Sequence, residues 1–511
     1  MKHPFSRGRA QLPKLEYDGL GRTIGQYTGY YTGVGSENFA DASQITSENK
    51  IFEQAFNVFD DVSNSTSTVR YQRWHNATGN GKLNLPTGSQ PKARVSYSAA
   101  WQDGVGRTVA TANYGTNDDS PLQRPDTPPL SSDTVQVTTD AYNDCGQLSE
   151  ITDPSGMVTR SEFNNAGKTV RTIQNYVPDE GMCSNVNVTV EQQYDVGGQL
   201  HKLIAKNAAT GEQVTQYQYG TTLDNSNVAR NDLLVAEIYP DSEDSADRVT
   251  YAYNRLGQQT CMQDQNGTIH EYDYDKLGRQ TQDRIVTVAT GVDNTVLRIG
   301  RTFDAYGNAE KITSYDNATV GLGSAINEVQ QTYNQFGQVQ TSKQDPTGAV
   351  SAGTPVVQYT YASSGNTIRP TGVTYPSTLR QVTYLYTITD NDLLSRVEEI
   401  SESSFGSPIV DYTYLGIGTF VEVNYRESDI SYSLVSGNSF TNPYGGLDRF
   451  GRIVELQWLD HPTPENKLVH LLYGYDRASN RTYRKNEIAP SGFDELCVLS
   501  ASVHESFRRI C

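Results

Sequence analysis

Five cysteines in 511 residues, at Cys145, Cys183, Cys261, Cys497 and Cys511, are odd in number, far apart and never spaced as CxxC. That spacing argues against a disulfide framework or a thiolate zinc site. No apolar run is long enough to span a bilayer. The N-terminal stretch MKHPFSRGRAQLPKLEYDGLGR carries charge but no apolar core, so it does not read as a secretory signal. Basic residues are in deficit: 41 Lys and Arg against 59 Asp and Glu give a net charge of -18 and a pI near 4.9. Such a balance argues against nucleic-acid partners, which need a basic stripe, and against adhesion to an anionic membrane. With 36% hydrophobic residues and a mean hydropathy of -0.59, the chain is poor in material for one large apolar core.

Catalytic signatures are missing as well. The seven histidines are His3, His75, His201, His270, His461, His470 and His504, with no HExxH spacing. No GxSxG, phosphate loop or dinucleotide fingerprint occurs. The acidic run from Asp241 to Asp247 lacks the Gly and terminal Glu of an EF-hand loop. The expectation is a protein with no catalytic residue, no cofactor and no metal.

What is abundant is tyrosine, 33 against 14 Phe and 3 Trp, together with 43 Gly. Tyr suits half-exposed strands, where the ring packs and the hydroxyl reaches water. The aromatic residues fall into a repeated phrase, seen most clearly in Tyr274-Asp275-Lys276-Leu277-Gly278-Arg279. Asp opens a tight turn by accepting a backbone N–H two residues on, and Gly takes the positive φ that lets the second strand leave in register. The turn pairs are Asp18 with Gly21, Asn143 with Gly146, Asn164 with Gly167, Asp195 with Gly198, Asn254 with Gly257, Asp275 with Gly278, Asp304 with Gly307, Asn334 with Gly337, and Asp448 with Gly451. Asp103 with Gly106 belongs to the same set, and Asp60 with Ser63 and Asp476 with Ser479 carry Ser in place of Gly.

The step from Tyr142 to Phe163, like that from Tyr253 to Tyr274, is 21 residues, the length of one hairpin with its turns. Strand-like alternation in Asn185 to Asp195 and Arg284 to Thr290 fits that length. A second signature, at Asp153 to Gly156, Asp264 to Gly267 and Asp345 to Gly348, reads as the opposite turn of the hairpin. No long amphipathic helix is expected. Arg70 to Gly88 is expected to form a longer strand pair with Trp74 packed, and Asp118 to Asp133 an exposed loop. The paired tyrosines Tyr359/Tyr361, Tyr384/Tyr386 and Tyr412/Tyr414 read as degenerate copies. The domain reading is therefore one hairpin array over 1–481, degenerate around 359–414, and an irregular tail over 482–511. The tail, ending CVLSASVHESFRRIC, matches nothing before it, which raises the expectation of a truncation or frame change.

Four of the twelve opening positions are Asn: Asn143, Asn164, Asn254 and Asn334. Asn keeps the turn-forming oxygen but cannot ionise, so the position reads as a structural turn rather than a general base. The residue after Gly varies too: Arg22, Gln147, Lys168, Gln258, Arg279 and Asn308. On this reading charge is dispensable, and Asp275→Asn is expected to leave folding nearly unchanged.

The phrases YDGLGR and YDKLGR and their copies from Tyr17 to Arg481 resemble the Rhs/YD-repeat family, which includes bacterial polymorphic toxins, insecticidal toxin complex components, cell-wall-associated proteins and teneurins. The resemblance implies an all-β fold in which hairpins spiral into a hollow shell, or a segment of one. It implies a non-enzymatic role, enclosing or presenting a toxin effector, with that effector or another shell segment as partner. It also implies a secreted or cell-surface setting. An adhesion module contacting a cell-surface glycan or protein is the alternative. Neither the complete segment that caps such shells nor a following effector domain is recognised here.

Overall fold

The computed structural model describes residues 14–33, 44–242, 247–362, 368–376, 380–386, 389–402, 408–436, 442–461 and 466–488. These residues form 32 β-strands, one short α-helix (Thr389–Leu394) and a single 3-10 turn (Asn117–Asp119). The expected all-β hairpin architecture is what the chain adopts. Consecutive strands pair antiparallel, as in Val249–Tyr253 with Gln259–Gln263, and Ile269–Tyr274 with Gln280–Thr287. The register shifts by a residue just before each turn, between Ala252 and Tyr253, Asp273 and Tyr274, Thr302 and Phe303, and Thr332 and Tyr333. This is the bulge that a turn ending in a left-handed Gly imposes on its strand pair.

The chain divides into two compact units. One comprises Met1–Val158, Tyr361–Thr371 and Val382–Cys511; the other comprises Thr159–Thr360 and Gly372–Gln381. The first owns the apolar cores. One packs Tyr27, Ile51, Val95, Tyr97, Trp101 and Val137 with their small neighbours. Another brings Trp74 together with Leu415, Val421, Leu434, Tyr444 and Leu447. In the second unit only scattered apolar side chains, such as Ile173, Ile204 and Ala236, are buried. Its strands carry polar residues on both faces, and charged side chains pair across them instead. Arg171 bridges Glu162 at 3.0 Å and Glu191 at 2.9 Å, and Lys206 reaches Glu191 at 3.1 Å. Such pairs fix which residues stand opposite each other.

Two local expectations differ from the structure, and a third, the exposed loop at 118–133, is met. Arg70 to Gly88 is not a strand pair: the strand Ser65–Arg73 ends there, and the chain continues irregularly past a buried Trp74. Two Arg73 bonds to the carbonyls of Ala77 and Gly79, each 2.8 Å, hold that segment. The loop around 118–133 has no strand, yet it is anchored by Arg124 stacked on Trp101 and by the Trp101 Nε1–H bond to the Pro125 carbonyl at 3.1 Å. The last strand, Arg481–Asn486, runs into the stretch expected to be irregular, because it completes the Asp476 hairpin by pairing with Asn466–Tyr475. Residues 489–511, with Cys497, His504 and Cys511, lie outside the described residues, as do 243–246 of the acidic run.

Candidate functional site

The repeated turns share one geometry. In the Asp275 turn, the backbone N–H of Asp275 donates to the Arg279 carbonyl and that of Gly278 to the Asp275 carbonyl, each at 3.0 Å. Asp275 Oδ1 then accepts the N–H groups of Leu277 and Arg279, both at 2.9 Å. The same double acceptance occurs at Asp18, Asp60, Asp103, Asn143, Asn164, Asn254, Asp304, Asn334 and Asp448. Asp195 accepts from Gln199 N–H at 2.8 Å. Gly21, Gly146, Gly167, Gly198, Gly257, Gly278, Gly307, Gly337 and Gly451 all stand at positive φ, between 75° and 94°. Ser63 and Ser479 adopt the same conformation at 73° and 67°.

With Oδ1 committed to the backbone, the second atom of the side chain faces the residue four positions on, and there charge matters. In Asp turns that atom is an oxygen, and the partner is a donor. Arg22, Arg107, Arg279 and Arg452 donate through Nε at 2.6–2.7 Å, and Asn64, Asn308 and Asn480 through Nδ2 at 2.9–3.0 Å. In three of the four Asn turns it is an NH2 group facing an acceptor: Asn143, Asn254 and Asn334 donate to Gln147, Gln258 and Gln338 Oε1 at 2.7–2.9 Å. In the fourth, Asn164 is followed by Lys168, whose ammonium bonds the Gly198 carbonyl instead. The Asp275 carboxyl is held below its ordinary value by the Arg279 backbone N–H and then by the Arg279 guanidinium. The expectation that charge is dispensable therefore needs correction: Asp275→Asn would turn an NH2 group towards a guanidinium. We expect Asp275→Asn to lower the midpoint of denaturant unfolding. Asn334→Asp obliges the Gln338 amide to turn over and present its NH2, as Asn308 does to Asp304, and should cost at most about 1 kcal/mol. Asn334→Asp combined with Gln338→Arg should recover most of that loss, and a double-mutant cycle measures the coupling.

The other two conserved chemistries of the phrase act between hairpins. The Tyr hydroxyl donates backwards, to the carbonyl of the fifth residue after the preceding turn's Asp or Asn. Tyr142 reaches Thr108 at 2.8 Å, Tyr194 Thr169 at 2.9 Å, Tyr274 Gln259 at 2.6 Å, Tyr333 Ala309 at 2.7 Å and Tyr475 Ile453 at 2.9 Å. The residue after Gly reaches forwards, over the next repeat's aromatic ring. Arg22 lies 4.9 Å from the Phe59 centroid, Arg107 4.4 Å from Tyr142, Lys168 4.9 Å from Tyr194, Arg279 4.2 Å from Phe303 and Arg452 4.7 Å from Tyr475. Several also bond the next turn's carbonyls: Arg22 to Asp60, Lys168 to Gly198, Gln258 to Gly278 and Arg452 to Asp476. Within each unit, neighbouring turns are thus laced side by side.

The degenerate copies keep this lacing without the turn. Tyr386 donates to the Pro370 carbonyl at 3.0 Å beneath Arg369, and Tyr414 to Val397 at 2.5 Å beneath Arg396. Arg369 and Arg396 escape sequence reasoning because no Asp–Gly turn marks them; a cation ahead of each Tyr pair is the only signal. The opposite turns are less uniform. Asp153 and Asp264 close as expected, with Gly156 and Gly267 both at φ 91°. Asp345 instead binds Thr347 N–H at 3.1 Å and the Thr354 hydroxyl at 3.1 Å, and Gly348 is not at positive φ.

Other chemistry is sparse. Among the described residues, no three His, Cys, Asp or Glu side chains converge on a possible metal position. Ser431 Oγ lies 2.8 Å from His461 Nε2, but Ser431 is completely buried and closed to a substrate. Among the described residues, no helix is long and apolar enough to cross a membrane.

No protein-family model matches the sequence. No curated protein matches it either. Solved structures do. The Photorhabdus luminescens Tc holotoxin pore carrying a TccC3 mutation is similar over 91% of this chain, with a TM-score of 0.51 and 11% identity. The likeness is to the fold of Tc toxins. TcdB2-TccC3 without its hypervariable C-terminal region has a TM-score of 0.50 at 11% identity over 91% of this chain. The TcdB2-TccC3-Cdc42 structure has a TM-score of 0.50 at 12% identity over 92%. This chain spans only 22–23% of the length of these Tc toxin chains. At such identity the Tc toxin likeness extends to the hairpin architecture, and the laced turns described above supply its physical basis in this sequence.

Proposed function

We propose that this chain is a non-enzymatic wall: a segment of an Rhs/YD-type shell that encloses or presents a toxin effector outside the cell that makes it, completed by another shell segment. The observation that carries the reading is the lacing. Hairpins are bonded to their neighbours through strand pairing, and at many of them also through a backward Tyr hydroxyl or a forward side chain. That device extends a sheet sideways indefinitely while building little apolar core in the second unit. The wall suits an enclosing role, since polar strand faces offer an unfolded cargo no large apolar surface on which to stick. The resemblance in fold to Tc toxin structures supports the same reading.

The test is protection of cargo. A protease-sensitive reporter peptide fused after Cys511 should be cut far more slowly than the free peptide when the chain is joined by its completing segment. Electron microscopy of that assembly should show a wall around an internal volume. Cleavage at the free-peptide rate in an assembly that microscopy shows to be complete would refute enclosure.

A further inference from the structure

Several of the turns that lace the sheet push an apolar side chain into solvent. On four consecutive hairpins of the second unit, the residue two after Asp or Asn is Leu256, Leu277, Tyr306 and Phe336, with exposures of 79%, 79%, 88% and 57%. Their backbone N–H groups are all held by the turn's Oδ1 at 2.9 Å, so the side chains are fixed outwards on a rigid base. The hairpins pair in sequence order, and all four turns lie on the same edge of the sheet. Two strands per repeat place successive tips ~10 Å apart, and the four span ~30 Å.

We propose that this row is a membrane contact, in which the four tips enter the interfacial region of a bilayer containing anionic lipid. The charge pattern selects that occupant. Exposed Arg255 and Lys276 flank the first two apolar tips, on a chain whose net charge is -18. The acids of these turns face inward: Asp275 is paired with Arg279 at 2.6 Å, and Asp304 is bonded by Asn308 at 2.9 Å. The four turns of a second copy would therefore offer Arg255 and Lys276 no outward carboxylate, and the exposed Asp232 beside the first of them is already paired with Arg230, whereas anionic headgroups supply the missing charge. Separate knobs suit an interface where each can enter alone, with Leu and aromatic side chains at the acyl boundary and cations among the headgroups. The whole-chain charge opposes approach at long range, but salt screens it beyond ~8 Å, leaving the tips to decide the contact. The inference stands apart from the shell reading.

Vesicle co-sedimentation of the full chain tests it, using phosphatidylcholine alone or mixed with phosphatidylserine. The wild type should partition to the mixed vesicles. Serine at all four tips (Leu256→Ser, Leu277→Ser, Tyr306→Ser, Phe336→Ser) should lower partitioning about tenfold or more. Its circular dichroism should not change, because the turn bonds use backbone N–H groups. Arg255→Glu with Lys276→Glu should reduce binding to the level on phosphatidylcholine alone, and Val320→Ser, an exposed position on the opposite edge of the sheet, should leave it unchanged. Should the serine variant fail to fold, Phe336→Trp gives the same answer through a blue shift on mixed vesicles of the emission it adds to that of the three native Trp. No partitioning by the wild type, equal partitioning by the serine variant, or an unshifted Trp emission would overturn the proposal. So would self-association that the serine changes abolish without any vesicle binding, which would assign the row to a second copy.

Discussion

Tyr444→Ala should destabilise the first unit by about 3–5 kcal/mol. The ring is 0% exposed and packs edge-on against Trp74, itself 4% exposed, at 6.4 Å between centroids. Its hydroxyl accepts the His75 backbone N–H at 2.9 Å and shares a hydrogen bond with His75 Nδ1 at 3.0 Å. Burial raises the Tyr444 hydroxyl and lowers the His75 imidazole from their ordinary values, so burial disfavours the charged form of both. Alanine would leave a cavity next to Leu415, Val421 and Leu434 and strip two His75 groups of their partner. The residues involved come from opposite ends of the sequence, so the loss should appear first as faster proteolysis near residues 75–92 and a lower unfolding midpoint. Tyr444→Phe keeps the volume and removes only the hydrogen bonds, so it should cost about 1–2 kcal/mol. A Tyr444→Ala protein within ~1 kcal/mol of wild type would contradict this account of the core.

Gly278→Val should cost about 2–3 kcal/mol in the second unit. Gly278 stands at φ 82°, where a β-branched residue is strained, and a Cβ there would sit 3.0 Å from Gln258 Nε2. That amide donates to the Gly278 carbonyl at 3.0 Å, so valine would disturb its own turn and the link to the preceding one. Gly156, also at positive φ, has nothing within 4 Å of its would-be Cβ. Gly156→Val should therefore show the backbone strain alone, and the difference between the two measures the lateral link. Equal unfolding midpoints for both variants would mean that the link contributes nothing.

The turns were legible because they are local: an acceptor, two free positions and Gly specify the tip wherever they occur. The alternating strands between them were legible for the same reason. The pairing of Asp with a donor and of three of the four Asn with Gln was also present in the sequence, but it is a relation between Asp275 and Arg279 or Asn334 and Gln338. Taken one position at a time, each column looks indifferent to charge. Arg369 and Arg396 were not legible because their meaning depends on a Tyr 17 or 18 residues later, at Tyr386 and Tyr414. The Trp74–Tyr444 core depends on a contact across 370 positions, which no local pattern announces.

The backward bond of each Tyr gives the array a growing end. Tyr274 needs the Gln259 carbonyl already placed, and Gln259 belongs to the hairpin made one repeat earlier. A hairpin emerging during synthesis or export thus finds its acceptor waiting on the hairpin before it and leaves a fresh one for its successor. Such a chain is suited to being built vectorially, N-terminus first, one repeat at a time, without waiting for its last residue.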